Sequence, residues 1–294
     1  MSAVTAEPAL AAANGRSRGA QLRRFARRNP TIMAGATILG VIALLAVAAP
    51  LFAGDAITMQ PALRLRPPSD ANWLGTDHLG RDVFARTVYG AQVSLFVGVA
   101  VAAMSISGGL FIGLMSGYFR KVDAVVMRLM DGLMAIPAIL LAIALVALTR
   151  ASVSAVIVAI TIPEIPRVVR LVRAVVLSVR EAPYVEAAVA GGTPTWKILL
   201  RHILPNTIAP LIVQATFIAG SAILLEDALS FLGVGIPPET PTWGNIMAEG
   251  RSVFQILPHN ILYPAAFLTV AVLAVNMLGD GLRDTLDPRM AKRV

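Results

Sequence analysis

Charged side chains that interrupt or border long apolar runs are the residues of this chain that could do chemistry. Glu164 and Arg167 lie three residues apart inside one apolar run, and Glu226 and Asp227 adjoin the end of another. A carboxylate within a membrane is costly and normally faces a partner or water, so Glu164 is a candidate for a path or gate. Glu226 and Asp227 could meet the amino group of a substrate, or they could be ordinary interfacial residues.

A second charged set lies in the polar segment between the first two apolar runs. Asp77, Arg81, Asp82 and Arg86 are spaced for salt bridges along a short helix. The pattern fits a solvated helix at the membrane surface, and it also fits a contact or gate near a partner on that side.

No motif for covalent chemistry or cofactor binding is evident in the sequence. None of the lysines lies in the pattern G-x-x-x-x-G-K-[ST], so the loop that cradles nucleotide phosphates is missing. The three histidines are scattered, cysteine is absent, and no pair of residues has metal-ligand spacing. The sequence therefore predicts a chain that is not an enzyme and that binds no cofactor or metal of its own.

The composition predicts an all-α protein that crosses a membrane several times. Of the 294 residues 56% are hydrophobic and only 14% are charged, against about 25% charged residues in soluble domains. A span needs about 20 apolar residues. This criterion predicts six spans, at about residues 31–52, 91–117, 125–149, 152–170, 206–228 and 261–281.

The basic residues predict the orientation of these spans. Most of the 25 lysines and arginines fall on the side of the two termini, which places both termini in the cytoplasm. Residues 1–30 form a basic cytoplasmic segment, residues 31–289 one membrane domain, and residues 290–294 a tail. The net charge of +8 thus reflects contact with lipid rather than nucleic acid. Trp73 and Trp243 lie in outside loops and are predicted to anchor at the membrane–water boundary.

The second span carries small residues at intervals of four. Ser105, Gly109, Gly113 and Gly117 would form one flat stripe along a helix, and such a stripe lets another helix approach closely. The alternative is coincidence in a chain with 23 glycines.

Residues 183–206 form a polar, helix-forming segment between the fourth and fifth spans, on the cytoplasmic side. Gly191 and Gly192 interrupt its first helix. Thr193 is predicted to cap a second helix with Pro194 at its first position, and Pro205 is predicted to end it. The segment therefore reads as a helix–Gly–helix elbow suited to a groove in another protein, although an ordinary amphipathic loop would fit as well.

This elbow resembles the EAA loop of ABC-importer permeases. The resemblance rests on Glu186-Ala187-Ala188, Gly192 and Ile203-Leu204-Pro205. Three further segments resemble the peptide and nickel branch of these permeases, and most closely its second permease, the DppC/OppC type. They are LGTDHLGRD at 74–82, SFLGVGIPPETPTWGN at 230–245 and NMLGDGLRDTLDPR at 276–289.

The resemblance implies a subunit of an ATP-driven importer of di- or oligopeptides in the bacterial inner membrane. Its partners would be a homologous second permease, an extracytoplasmic substrate-binding protein and two cytoplasmic ATPases, which hold the ATP and Mg. The elbow residues would couple to the ATPases: Glu186, Ala187, Ala188, Gly192, Ile203, Leu204 and Pro205. Import of nickel or another metal chelate remains an alternative. So does a secondary transporter, which would need coupling carboxylates deep in the spans.

Overall fold

The computed structural model describes residues 25–286, and within this range the chain is helical and forms no β-strand. The helices are α1 Pro30–Phe52, α2 Val83–Tyr118, α3 Arg120–Met134, α4 Ala138–Ala147, α5 Val153–Val179, α6 Pro183–Ala190, α7 Thr195–Lys197, α8 Leu204–Phe231, α9 Trp243–Gly250 and α10 His259–Leu286. A π-helix, Ile198–Ile203, joins α7 to α8. Most of the predicted N-terminal basic segment and the predicted tail lie outside the described residues.

Four helical stretches are long and apolar enough to cross a membrane. They are α1, α2, the continuous stretch Thr195–Phe231 and α10. A fifth crossing exists if α3 and α4 count as one broken span. The predicted fourth span falls in α5, whose apolar sequence is interrupted by Glu164, Arg167 and Arg170. The described residues thus give four or five candidate spans, fewer than the six predicted.

The predicted third span, 125–149, is wrong as one continuous helix. Its two halves, α3 and α4, meet at an angle of 89°. Pro137 lies at the bend, and a proline disfavours helical geometry in the residue before it. The first half is also amphipathic rather than apolar. Its Asp123 accepts from both Nε and Nη2 of Arg173, which lies on α5.

The second span starts earlier than predicted and absorbs part of the charged segment before it. Asp82 is the N-cap of α2, and its Oδ1 accepts from the backbone N of Phe84 at 2.7 Å and of Ala85 at 3.3 Å. Asp77 and Arg81 therefore lie in a turn that precedes α2, and the short helix predicted to carry all four charged residues does not form.

Helix α2 lies at the centre of the bundle. It packs against α5 and α8, and the main apolar core includes Val97, Ile160 and Ile218 from these three helices. A second apolar cluster joins α1 and α10 to the same centre. Most of the spanning helices thus pack around α2. The segments at the two ends of α2 therefore lie close to the other helices.

Candidate functional site

The elbow turns at Gly192. This residue has φ +71°, a left-handed conformation that favours glycine. The backbone N of Gly192 donates to Val189 O at 3.0 Å, and that of Thr193 donates to Ala188 O at 3.0 Å, which closes α6 with a Schellman-type end. A Cβ at position 192 would meet no heavy atom within 4 Å. The glycine is thus required by the backbone rather than by crowding within the chain.

The second arm of the elbow differs from its prediction. Thr193 makes no side-chain cap, and Pro194 occupies the N-cap of α7. Pro205 does not end the helix, because the chain continues into α8. The ring of a proline clashes with the carbonyl four residues earlier, and the wider π-helix removes that conflict. There the N of Leu204 donates to Leu199 O, five residues back.

The predicted coupling residues divide into an exposed and a buried set. Glu186, Ala187, Gly192 and Pro205 are exposed, whereas Ala188 and Leu204 are half-buried. Ile203 is fully buried and belongs to the main core. The elbow therefore exposes four of these residues, and the buried Ile203 fixes it to the bundle.

Large apolar side chains are exposed on both arms of the elbow. We define the elbow face as Tyr184, Val189, Trp196 and Leu200, whose exposed fractions range from 49% to 60%. Behind this face Val185 and Ile198 pack into the same core as Ile203. An apolar patch held on a fixed support is typical of a surface that another protein covers.

The small-residue stripe of α2 lies against three valines of α5. A Cβ on Gly113 would come within 2.7 Å of the Val172 Cβ, and one on Gly117 within 2.6 Å of the Val176 Cβ. Gly109 approaches Val168 in the same way. Ser105, at the far end of the stripe, is fully buried. The two helices thus approach so closely that any side chain at these glycines would collide with α5.

Four charged residues form a largely buried cluster at the N-terminal end of α2, which we call the outer ion network after the orientation predicted from the sequence. It consists of Asp77, Arg81, Arg86 and Glu249. Arg81 Nε lies 2.7 Å from Asp77 Oδ2, and Arg86 Nη2 lies 3.2 Å from Glu249 Oε2. Arg81 Nη2 also pairs with Glu249. Burial raises the pKa of Glu249 above its ordinary value, while the charges of Arg86 and Arg81 oppose that rise.

The outer ion network contradicts the prediction of a solvated helix. Its arginines are at most 3% exposed. Spacing along the sequence could not identify Glu249, because this residue reaches the network from α9. Asp82 stands apart. It caps α2 and accepts from Asn72 Nδ2 at 3.1 Å.

Three potential metal ligands meet beside the outer ion network. One ligand atom each from Asp77, His78 and Glu249 lies within 4.8 Å of the others. Both oxygens of Asp77 already accept hydrogen bonds, from the backbone N of Leu79 and Arg81 and from the Arg81 side chain. Two guanidinium groups also contact these carboxylates. This surrounding positive charge disfavours a bound cation.

Glu226 and Asp227 are buried and face other parts of the chain. Ser230 Oγ donates to Glu226 Oε1 at 2.8 Å, and Ser94 Oγ donates to Glu226 Oε2 at 3.3 Å. The backbone N of Gly244 donates to Asp227 Oδ1 at 2.6 Å. Glu226 therefore links α8 to α2, and Asp227 links α8 to the segment that carries Gly244, so neither carboxyl group stands at an exposed interface.

Trp243, in that same loop, is fully buried, and its Nε1 donates to Thr87 O at 3.0 Å. Its prediction as an interfacial anchor is wrong, because the loop folds back onto α2. Trp73 is 64% exposed, and its ring lies 5.0 Å from that of Phe84.

Glu164 lies beside a cavity in the middle of the bundle. Arg167 Nη1 donates to both Glu164 oxygens, at 3.2 and 3.3 Å. The Glu164 side chain is 5% exposed, whereas that of Arg167 is 54% exposed. Both residues line a cavity of about 270 Å³ together with Gln214, Phe217, Ile218, Gly220, Ser221, Leu224, Val272 and Asn276. Since residues 214–221 lie at the middle of α8, Glu164 lies beside the middle of this candidate span.

Two protein families match this chain over separate ranges that together cover most of it. Residues 109–292 match the family described as "Binding-protein-dependent transport system inner membrane component". Residues 17–68 match the family described as "N-terminal TM domain of oligopeptide transport permease C".

Individual relatives are similar over most of their length. "Probable peptide ABC transporter permease protein y4tQ" of Sinorhizobium fredii is 53% identical over 92% of this chain and 93% of that protein. "Dipeptide transport system permease protein DppC" of Alkalihalophilus pseudofirmus is 42% identical over 90% of this chain and 88% of that protein. "Oligopeptide transport system permease protein OppC" of Bacillus subtilis is 36% identical over the same shares of the two chains.

Proposed function

The chain belongs to the family of inner membrane components of binding-protein-dependent transport systems, and we propose that it is a permease subunit that imports di- or oligopeptides. The observation that carries this proposal is the elbow. It combines the residue pattern of the importer coupling loop with an exposed apolar face on a buried support. The peptide substrate is supported by the names of the similar permeases, which transport peptides, dipeptides and oligopeptides.

In the proposed complex this chain contacts three kinds of protein partner and the surrounding lipid. A homologous permease completes the translocation path, two cytoplasmic ATPases provide the motor, an extracytoplasmic binding protein delivers the substrate, and lipid surrounds the helices. ATP and Mg bind to the ATPases. This chain contributes binding surfaces and movement, and it carries no catalytic group.

The elbow transmits movement through its buried side. Val185, Ile198 and Ile203 belong to the main core, together with residues of α5 and α8. The second arm also continues through the π-helix into α8. A displacement of the elbow face by an ATPase would therefore move α8 as one rigid element. Alternating access follows if ATP binding draws the two permeases together at the elbows and opens the outer side.

We further propose that α5 crosses the membrane, which would complete six spans with both termini in the cytoplasm. Helix α2 is a candidate span, and α5 follows it closely along the glycine stripe. A helix that stays in contact over this length must cross with its neighbour. Each of its charged residues is paired with another residue of this chain: Glu164 with Arg167, Arg170 with Asp131, and Arg173 with Asp123.

Deletion and complementation in a strain that depends on this system provide the test. Loss of the chain should abolish uptake of short peptides, and the intact gene should restore it. The chain purified alone should hydrolyse no ATP, whereas co-expression should give a stable complex with the ATPases. Unchanged peptide uptake with lost nickel uptake would identify a metal-chelate permease instead. Peptide uptake driven by an ion gradient without the ATPases would indicate a secondary transporter.

A further inference from the structure

Two adjacent cavities form a groove along α8. The cavity beside Glu164 shares Gln214 and Phe217 with a second cavity of about 550 Å³. The second cavity continues past Pro210 to Asn206 and is lined on one side by Arg283 of α10. Helices α5 and α10 form the walls of the groove, and α8 forms its floor. The combined size is comparable with that of small-molecule sites, which occupy roughly 300–1,000 Å³.

The lining of this groove is mixed rather than purely apolar. Gln214, Ser221 and Asn276 place uncharged polar groups among residues such as Phe217 and Leu224. A few polar groups set in an apolar lining are typical of ligand sites, where they fix the orientation of the ligand. A surface that contacts only lipid tails would gain nothing from three polar side chains at this depth.

The Glu164–Arg167 pair is suited to exchange of partners. Glu164 is held in the wall of the groove with its carboxylate nearly covered, while more than half of the Arg167 side chain is exposed. A nearly covered carboxylate that loses its cationic partner is strongly destabilised unless another cation replaces that partner. Arg167 can therefore leave Glu164 only when another cation takes its place at the carboxylate, and the released guanidinium can then bind an anion.

We propose that this groove is a membrane-domain contact site for peptides, in which Glu164 receives the terminal ammonium group and Arg167 the terminal carboxylate. The assignment rests on the peptide-importer function proposed above. A peptide is a zwitterion with an apolar or neutral middle, and the groove offers one carboxylate, one guanidinium and neutral polar groups. While the groove is empty the two charges neutralise each other. Peptide entry exchanges one ion pair for two, so neither charge is left unpaired at this depth.

The first arm of the test asks whether the groove contains water or lipid. The chain has no cysteine, so single cysteines can be introduced without background. Gln214→Cys should react with a charged, water-soluble methanethiosulfonate reagent during ATP turnover of the whole complex, and trialanine should protect it. Leu44→Cys, which is exposed on α1, is the control and should stay unreactive. A Gln214→Cys variant that stays as unreactive as the Leu44→Cys control would place the groove in lipid and overturn the proposal.

The second arm asks which peptide groups the pair contacts. Maximal uptake by the reconstituted complex, with binding protein in excess, is measured for trialanine, N-acetyl-trialanine and trialanine amide. Glu164→Gln should lower uptake of the free-amino peptides about tenfold and leave N-acetyl-trialanine nearly unchanged. Arg167→Gln should lower uptake of the two peptides with a free terminal carboxylate and leave trialanine amide nearly unchanged. A pair with a purely structural role would lower all three equally and would overturn the proposal. If the wild-type complex takes up none of the three, it is the peptide-importer function that has failed.

Discussion

The two ends of this membrane protein differ in which side chains they bury and which they expose. At the outer end, charged residues from distant parts of the sequence are buried and neutralise each other, as Arg86 and Glu249 do. At the elbow, large apolar side chains such as Trp196 and Leu200 remain exposed on a support that is itself well packed. Gly192 also sits in open space.

This difference distinguishes residues that stabilise the fold from residues that are available to bind a partner protein. A buried charge must be paired within the chain, and breaking such a pair is strongly destabilising. An exposed apolar patch is unfavourable in the isolated chain because its side chains contact water. This cost disappears when another protein surface covers the patch. We therefore expect changes at the outer end to lower the stability of the chain. Changes at the elbow should leave the chain folded and impair the complex.

The largest effect is expected from Glu249→Ala in the outer ion network. The change leaves Arg81 and Arg86 buried with Asp77 as their remaining acidic partner, and loss of one member of such a pair costs about 3–5 kcal/mol. Thermal unfolding in detergent should show a strongly lowered midpoint. Glu249→Gln should cost less, because it keeps an acceptor oxygen. The exposed Glu239→Ala is the control. Equal midpoints for the two alanine variants would mean that the network does not stabilise the outer end.

A somewhat smaller loss is expected from Gly113→Leu, between the two ends. Even a Cβ here collides with Val172, and overpacking of a tight core costs about 1–3 kcal/mol. Gly40→Leu on α1 is the matched control, since a Cβ there meets no heavy atom within 4 Å. The midpoint of unfolding and the amount of assembled complex should fall only for the Gly113 variant. If both variants assemble normally, the close approach of α2 and α5 is not needed.

Gly192→Asp should have a small effect on the chain and a large one on the complex. Asp tolerates the left-handed conformation better than most residues, so the strain should stay at or below about 1–2 kcal/mol. We expect normal membrane insertion, weak co-purification of the ATPases and no uptake. Gly192→Asn has nearly the same shape without the charge, and it shows whether bulk or charge blocks docking. Co-purification and substrate-stimulated hydrolysis at the wild-type level in both variants would remove the elbow from the coupling mechanism.

The smallest effect is expected from Glu186→Ala. This exposed carboxylate can pair with a basic group on an ATPase, and one such pair contributes about 1 kcal/mol or less. Binding of the ATPases should weaken about fivefold or less, while the unfolding midpoint stays unchanged. Glu181→Ala is the control, because Glu181 is also exposed but lies before the elbow. Equal loss in both variants would point to general charge rather than a specific contact.

The sequence alone determined the features that depend on local pattern. Apolar runs predicted a helical membrane protein. The helix–Gly–helix spacing predicted the elbow, because a glycine that breaks a helix-forming segment can be recognised in the local sequence. Intervals of four placed Gly109, Gly113 and Gly117 on one helix face, since that spacing is set by the helix itself. The resemblance to importer permeases, carried by short motifs, was confirmed by the match of residues 109–292 to that family.

Only the tertiary structure decided which charges are paired and which residues are covered. Arg81 and Glu249 are 168 positions apart, and Trp243 and Thr87 are 156 apart. Spacing predicts contacts within one helix, but it carries no information about which helices become neighbours. Glu226 and Trp243 therefore read as interfacial residues until the outer loop is seen folded over them. The helix end predicted at Pro205 and the unbroken span predicted across Pro137 were both wrong, because a proline can end, kink or widen a helix. The neighbouring helices and the local hydrogen bonds choose among these outcomes.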